Sequence, residues 1–522
     1  MHRTFGRIVV IGAGIGGLSA ALCLAHEGHA VEVVEAAPGP GGKMRTRDSV
    51  AGPVDIGPTV LTMRHVFEEL FASVGERLAD HVTLHPDTIL ARHWWRDGSC
   101  LDLHSDPDRS AAAVRDFAGP RAEREFRAFS GTARRLFEAF DAPVMREPRP
   151  DLVALTALVM ARPGLIPAMA PGLTLAQSLR LRFSDPRLRQ LFGRYATYVG
   201  GSPYLSPAIL GLIWSSEARG VWSVEGGMHR LAQALHRLAE ARGARFRFGM
   251  AARRIETGAD GTMDVHLSDG TRLQAERVLF NGDPKALRDG HLGSFPQAAV
   301  PARAVAPRSL SAFVWGFAAE PRGVDLAHHN VFFCDDPKVE FGDIAQGRMP
   351  RDATLYVCAQ DRGGRAATEG PERFEIIMNG PAGHIATDED RETCRTRTFE
   401  TLAKMGLGFS PVPDLTHLTT PADFDRAFPA SDGSLYGRSP HGMMATFHRP
   451  GARTAVPGLY LCGGGTHPGA GIPMACLSGR HAAEAIARDL ASTSTCRPTA
   501  MPGGMSTGSR TMARAPSRSS AS

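Results

Sequence analysis

The sequence predicts an α/β fold in which a parallel sheet, assembled from distant parts of the chain, is interleaved with a mixed α+β unit. Three observations carry this expectation. The chain opens on alternating strand and helix patterns, apolar strand patterns recur near residues 278 and 459, and the stretches between are helical or rich in short strands. With 522 residues, 43 % of them hydrophobic, the chain can bury a sizeable core spread over two or three units.

In chain order, Arg7 to Ile11 reads as a buried strand, Gly16 to Glu27 as a helix, and Ala30 to Glu35 as a second strand. A helical, Arg-rich region runs from about Ala112 to Arg219, with Leu179, Phe183, Leu188, Leu191 and Phe192 at helical spacing. Trp222 to Gly243 is strand, turn and helix again: Gly226 and Gly227 precede the periodic set Met228, Leu231, Ala234, Leu235 and Leu238. A meander follows, with hairpin signals at Asp260-Gly261 and Asp269-Gly270. Val278 to Phe280 is expected to return to the first sheet, and Leu310–Phe317, Asn330–Cys334, Thr354–Cys358 and Phe374–Met378 to build a second. After Leu490 the chain turns to Ser, Thr, Pro, Gly and Arg, which cannot bury enough surface to fold, so the tail is expected to be disordered.

Composition excludes several classes. The net charge is +5, but of 59 basic residues only Lys43, Lys285, Lys338 and Lys404 are lysine, and no basic stripe with interleaved aromatics is present; nucleic-acid binding is not expected. Eight scattered cysteines show no zinc or redox spacing, so no metal is expected and the thiols read as free in a reducing compartment. Ile8 to Ala25 resembles a signal peptide in hydrophobicity, yet four glycines interrupt it and Glu27, Glu32 and Glu35 follow. Leu152 to Leu175 is apolar but broken by Arg162, Pro163, Gly164, Pro167 and Pro171, so it does not read as a membrane span.

The chemistry begins at Gly12-Ala13-Gly14-Ile15-Gly16-Gly17, a GxGxxG turn set between a strand and a helix. Gly12 permits the tight turn, Gly14 lets backbone approach a pyrophosphate, Gly17 allows helix to pack on strand, and the helix N-terminus offers N–H groups to phosphate. Glu35, ending the next strand, is placed to accept from ribose hydroxyls. These residues alone do not separate NAD from FAD. The following Gly41-Gly42-Lys43 supplies a second crossing beside the pyrophosphate, with Lys43 a candidate phosphate or ribose partner, and Gly57-Pro58 a turn near the flavin end. Far downstream, Gly458 to Pro473 is a strand and a glycine run containing Gly464, Gly465, Thr466, Gly471 and Ile472, followed by a helix. That helix is expected from about Met474 to Leu490, and its N-terminus is suited to negative charge on reduced flavin. Thr466-His467 gives a weak nucleophile-base reading, since adjacent residues rarely face each other. No second GxGxxG exists for NAD(P)H.

This extended pattern resembles the amine-oxidase-like flavoproteins of the glutathione-reductase fold. The Gly464 to Gly471 core is also similar to the C-terminal signature of the bacterial phytoene-desaturase family. Gly220-Val221-Trp222, Gly226-Gly227-Met228 and Tyr198 to Pro203 extend the likeness over nearly all of Arg7 to Leu490. Within that family, His328 to Phe333 and Ser434 to Met444 look most like the hydroxycarotenoid 3,4-desaturases, also called methoxyneurosporene dehydrogenases. Lys43 departs from the arginine of many relatives, which puts a bidentate phosphate contact in doubt.

The resemblance implies FAD as cofactor and 3,4-desaturation of a hydroxylated acyclic carotenoid, such as 1-hydroxyneurosporene, by hydride transfer. The electron acceptor would be oxygen or a membrane quinone, and the place of action the cytoplasmic face of the inner membrane. Phytoene desaturation, carotene isomerisation and a flavin-free lipid escort are the competing readings. The implied division is 1–110, 221–300 and 441–490 for FAD, 111–220 and 301–440 for substrate, and 491–522 for the tail. Leu152 to Leu175 is the candidate for dipping into one leaflet. No catalytic base can be read; Arg194, Tyr195, Tyr198 and Asp151 are polar residues near apolar stretches and read as structural.

Overall fold

A computed structural model describes residues 7–258, 261–363 and 370–495. The strands Arg7–Ile11 and Ala30–Val34 run parallel, with Val10 opposite Val33, because helix Ile15–His26 carries the chain back between them. Arg277–Phe280 pairs parallel on the other side of the first strand, Leu459–Leu461 pairs with it in turn, and Arg245–Arg247 closes the far edge. Five parallel strands thus come from four stretches of chain. All but the edge strand Arg245–Arg247 are buried on both faces, which explains their near-continuous apolar runs. Glu32 is an exception, held inside its strand by Arg247 at 2.5 Å and Arg7 at 3.6 Å.

Helix Ile15–His26 is apolar all round because it is enclosed by neighbours on more than one side. Helices His229–Ala241 and Ile472–Thr495 both pack on it. At the second crossing a Cβ on Gly479 would come within 2.2 Å of the Gly16 carbonyl oxygen, so glycine is what lets the two helices approach. The expected periodic set Leu231, Ala234, Leu235 and Leu238 is buried at this packing.

The second sheet is mainly antiparallel. It contains Ser311–Gly323, Glu372–Gly380, Leu355–Ala359 and His329–Phe332, each near its expected position. It also takes in Ile89–Trp94 and Cys100–His104, through a parallel pairing of Phe332 with Trp94. Those two strands come from the 1–110 stretch that the sequence reading grouped with FAD. Between the sheets, helices from Pro107 to Ala218 gather around Phe126, Phe129, Phe183, Phe192 and Trp214, whose rings meet at 4.7–6.0 Å. The Asp269-Gly270 hairpin is present between Met263–Leu267 and Arg272–Ala275. Asp260 and the tail beyond Thr495, with Arg497, Arg510, Arg514 and Arg518, lie outside the described residues.

Candidate active site

Three bare backbone segments, far apart in sequence, meet at one end of the parallel sheet. Gly41 N–H donates to Ala13 O at 2.9 Å, and Gly14 and Gly41 form a parallel bridge. A Cβ on Gly42 would lie 3.1 Å from Gly14 Cα, and one on Gly16 would lie 2.8 Å from Gly463 N. Gly12, at φ +103°, makes the turn that only glycine takes without strain. Gly17 faces inward, its built Cβ 2.1 Å from Gly12 O. Gly16 therefore packs against the C-terminal segment, and Gly14 lies beside the Gly41-Gly42 crossing.

Glu35 caps this loop. Its carboxylate accepts from Ala13 N–H at 2.7 Å and Ala37 N–H at 2.8 Å, with further lone pairs left on each oxygen. Lys43 turns elsewhere than toward a phosphate. Its ammonium donates to Leu435 O at 2.6 Å and lies 5.5 Å from the Phe428 ring centre, and burial lowers its pKa to about 8. A lysine follows whichever acceptor its flexible stem reaches, and here that acceptor is a carbonyl 392 residues away. Gly57 must be bare because a Cβ there would sit 2.0 Å from Lys43 O.

In the C-terminal segment, Gly464 O accepts from Arg449 at 2.9 Å, and Gly465 packs against Pro284. Thr466 is fully buried. His467 faces Glu147 O at 3.0 Å, and burial lowers its pKa to about 4, which removes it as a partner for Thr466. Gly471, at φ +106°, has no heavy atom within 4 Å of a built Cβ, so Ile472–Thr495 begins in open space. The open helix N-termini, the glycine cradle and the Glu35 carboxylate fit an adenine dinucleotide lying across the sheet end.

Asn281 is the residue that sequence reading missed. Directly after the Arg277–Phe280 strand, its amide donates to Gly12 O at 3.1 Å and its carbonyl accepts from Cys462 at 3.3 Å. It ties the first and last segments together. The only signal was its place at the end of a strand expected to return to this sheet.

Gly57, Pro58, Gly471 and Ile472 form one wall of a cavity of about 1130 Å³. That exceeds the roughly 300–1,000 Å³ usual for small-molecule sites, and the lining is largely apolar. The cavity continues to Leu152, Leu155, Val159 and Met160 on helix Leu152–Ala161, and to Met443 and Met444. Leu152, Met160, Met443 and Met444 are exposed there, forming an apolar rim, and Val153 on the same helix and Ile166 on the next, Leu165–Met169, are exposed as well. Leu155 is instead buried, and Asp151 is an N-cap accepting from Val153 N–H at 2.8 Å. Among the described residues no helix is long and apolar enough to cross a membrane.

Polar side chains also line the cavity, among them two hydrogen-bonded groups. Arg194 and Tyr198 line it, joined to buried Glu217, which accepts from Tyr198 at 2.6 Å and Tyr195 at 2.8 Å. Thr59 and Tyr356 also line it, with their hydroxyls 2.9 Å apart. Behind them, His328 Nδ1 meets Arg362 O at 2.7 Å and its Nε2 lies 3.7 Å from Cys358 Sγ, a hydrogen-bonded cluster that the scattered cysteines do not announce.

Comparison with known proteins agrees with this geometry. The chain is 57 % identical to a hydroxyneurosporene desaturase of Cereibacter sphaeroides, over 95 % of this chain and 100 % of that one. It is 45 % identical to a protein of the same name from Rubrivivax gelatinosus, over 97 % and 98 %. Among solved structures, cyclohexylamine oxidase from Brevibacterium oxydans superposes with a TM-score of 0.56 at 20 % identity, covering 93 % of this chain and all of that one, a likeness of fold. Residues 15–487 match the flavin containing amine oxidoreductases. The chain belongs to that family, as an oxidoreductase whose cofactor is FAD.

Proposed function

We propose that the protein desaturates a hydroxylated acyclic carotenoid, of the 1-hydroxyneurosporene type, at its 3,4 position. The observation that carries this reading is the cavity, long and largely apolar, running from the Gly57-Pro58 and Gly471 wall to the exposed rim at Leu152–Met160. The names of the relatives support the substrate class. FAD, when bound, supplies the hydride acceptor. The chain's own part is orientation: apolar walls hold the polyene against the glycine-lined end and exclude water, so that an allylic C–H meets the acceptor at close range. On this reading 1–110, 221–300 and 441–490 serve FAD, and 111–220 and 301–440 serve substrate. Oxygen or a membrane quinone would take the electrons. The test is product analysis after incubation of loaded enzyme with hydroxylated and unhydroxylated carotenoids. Loss of two hydrogens supports desaturation, and an unchanged hydrogen count supports isomerisation.

The rim is proposed to rest in one leaflet on the cytoplasmic side of the inner membrane, where such a substrate resides. Val153 and Met160, 79 % and 70 % exposed, are better probes of this contact than buried Leu155. Replacing both with aspartate should weaken sedimentation with phosphatidylglycerol-containing liposomes tenfold or more, since each large apolar side chain removed from water is worth about 1.5–3 kcal/mol. Flavin content should not change. Unaltered sedimentation would remove the rim from the account.

A further inference from the structure

The family likeness singles out His328-His329 without giving either a role. His329 begins the strand His329–Phe332, which pairs with Leu355–Ala359. From that neighbouring strand Tyr356 reaches the cavity wall, its hydroxyl 2.7 Å from His329 Nδ1. The other imidazole nitrogen lies 3.8 Å from Asp87 Oδ2. His329 and Asp87 are 2 % and 3 % exposed, so Tyr356 is the member of this line that meets the cavity. Tyr356 also contacts Thr59, two residues after Gly57, which places the line at the flavin end.

Desaturation removes a hydride from one carbon and a proton from its neighbour. We propose that Tyr356, backed by His329 and Asp87, receives that proton, an inference that rests on the desaturase reading above. FAD, when bound, would supply the acceptor for the hydride. The C–H bond on the adjacent carbon then breaks, and its electron pair becomes the second bond of the new alkene. Its proton forms an O–H bond on Tyr356 as the original tyrosine proton passes to Nδ1 of His329. The imidazolium so formed faces the Asp87 carboxylate, and the proton returns by the same path to water that enters once product leaves.

A weak base is sufficient here, because positive charge spread along a polyene makes the neighbouring C–H strongly acidic. Burial, with His328 and Arg194 nearby, holds His329 well below its ordinary pKa, so it is neutral before turnover and able to accept. Glu375, 3.3 Å from Thr59 on the other side, does not compete. Burial and the neighbouring Asp55 raise its pKa well above the carboxylate range and keep it protonated.

The experiment mixes FAD-loaded wild type, Tyr356→Phe and His329→Asn anaerobically with a hydroxylated carotenoid deuterated at the proton-losing carbon. Asparagine keeps an acceptor for the tyrosine hydroxyl but no base. Bleaching of the wild-type flavin tests the desaturase reading alone, and its absence would remove the ground on which the relay stands. Given wild-type bleaching, both variants should keep their flavin yet form the longer chromophore of the product about 10²–10⁴-fold more slowly, the range expected for loss of a general base, because proton removal follows hydride loss. The deuterium effect should be small in wild type and large in the variants, as proton removal becomes limiting. ¹⁵N NMR of histidine-labelled wild type, without substrate, should show Nδ1 of His329 unprotonated and shifted in Tyr356→Phe. Wild-type rates in the variants, an unchanged deuterium effect, or a protonated Nδ1 would each overturn the relay. So would slowing confined to hydroxylated substrates, which would make Tyr356 an anchor for the hydroxyl, or a stoichiometric metal ion lost in His329→Asn.

Discussion

Gly17→Ala is expected to yield protein that is colourless or insoluble. Gly17 has ordinary helical backbone angles, so the obstacle is space. The new methyl would lie 2.1 Å from the Gly12 carbonyl oxygen and 2.9 Å from the Asn281 amide, and neither backbone nor a hydrogen-bonded amide can give way cheaply. The helix Ile15–His26 would have to rise off its strand, breaking the 3.1 Å bond from Asn281 to Gly12 and moving the N–H groups meant for the pyrophosphate. Overpacking of this kind costs about 1–3 kcal/mol in stability alone. Gly131→Ala is the control. It lies within the helix Pro107–Phe140 with nothing within 4 Å of a built Cβ, so it should be neutral or gain up to about 1 kcal/mol. Flavin absorbance and soluble yield check both, and a yellow, fully loaded Gly17→Ala protein would contradict the assignment.

Glu217→Leu, behind the cavity wall, should be strongly destabilising. Glu217 is 2 % exposed and accepts from two tyrosines, and half-buried Arg194 reaches it through Tyr198 at 3.0 Å. Removing the carboxylate leaves the guanidinium in a low-dielectric site without its counter-charge, a loss of about 3–5 kcal/mol. The double variant Arg194→Met, Glu217→Leu should recover much of that loss, because an apolar pair avoids the desolvation of two charges. Urea unfolding of the two variants measures the difference, and simple addition of the two single losses would show that the groups are not coupled.

The first strand-turn-helix unit was legible because its information is local: three glycines, two buried strands and Glu35 within 29 residues of chain. The four strands after residue 310 were legible for the same reason, each being a short apolar run of its own. What escaped depended on long-range pairing. The parallel contact of Phe332 with Trp94 decides that Ile89–Trp94 joins the second sheet, and no pattern in either strand names the other. Asn281 matters only because its strand returns beside Gly12. Lys43 was readable as a charge but not as a direction, since its stem reaches Leu435. Asp87, His329 and Tyr356 sit on three separated segments, so their alignment exists only after folding. The rim of Leu152–Ala161 was readable as apolar, but which side chains face inward was not, because an all-apolar helix has no contrast between faces.

The central claim is that bound FAD and the cavity together oxidise a hydroxylated carotenoid. Anaerobic mixing of the loaded protein with 1-hydroxyneurosporene, following flavin absorbance and product mass in one sample, tests it most directly. The account predicts bleaching of the flavin in step with a product two hydrogens lighter and a red-shifted chromophore. A flavin that stays oxidised while the carotenoid is bound unchanged, or a product of unchanged mass, would contradict it.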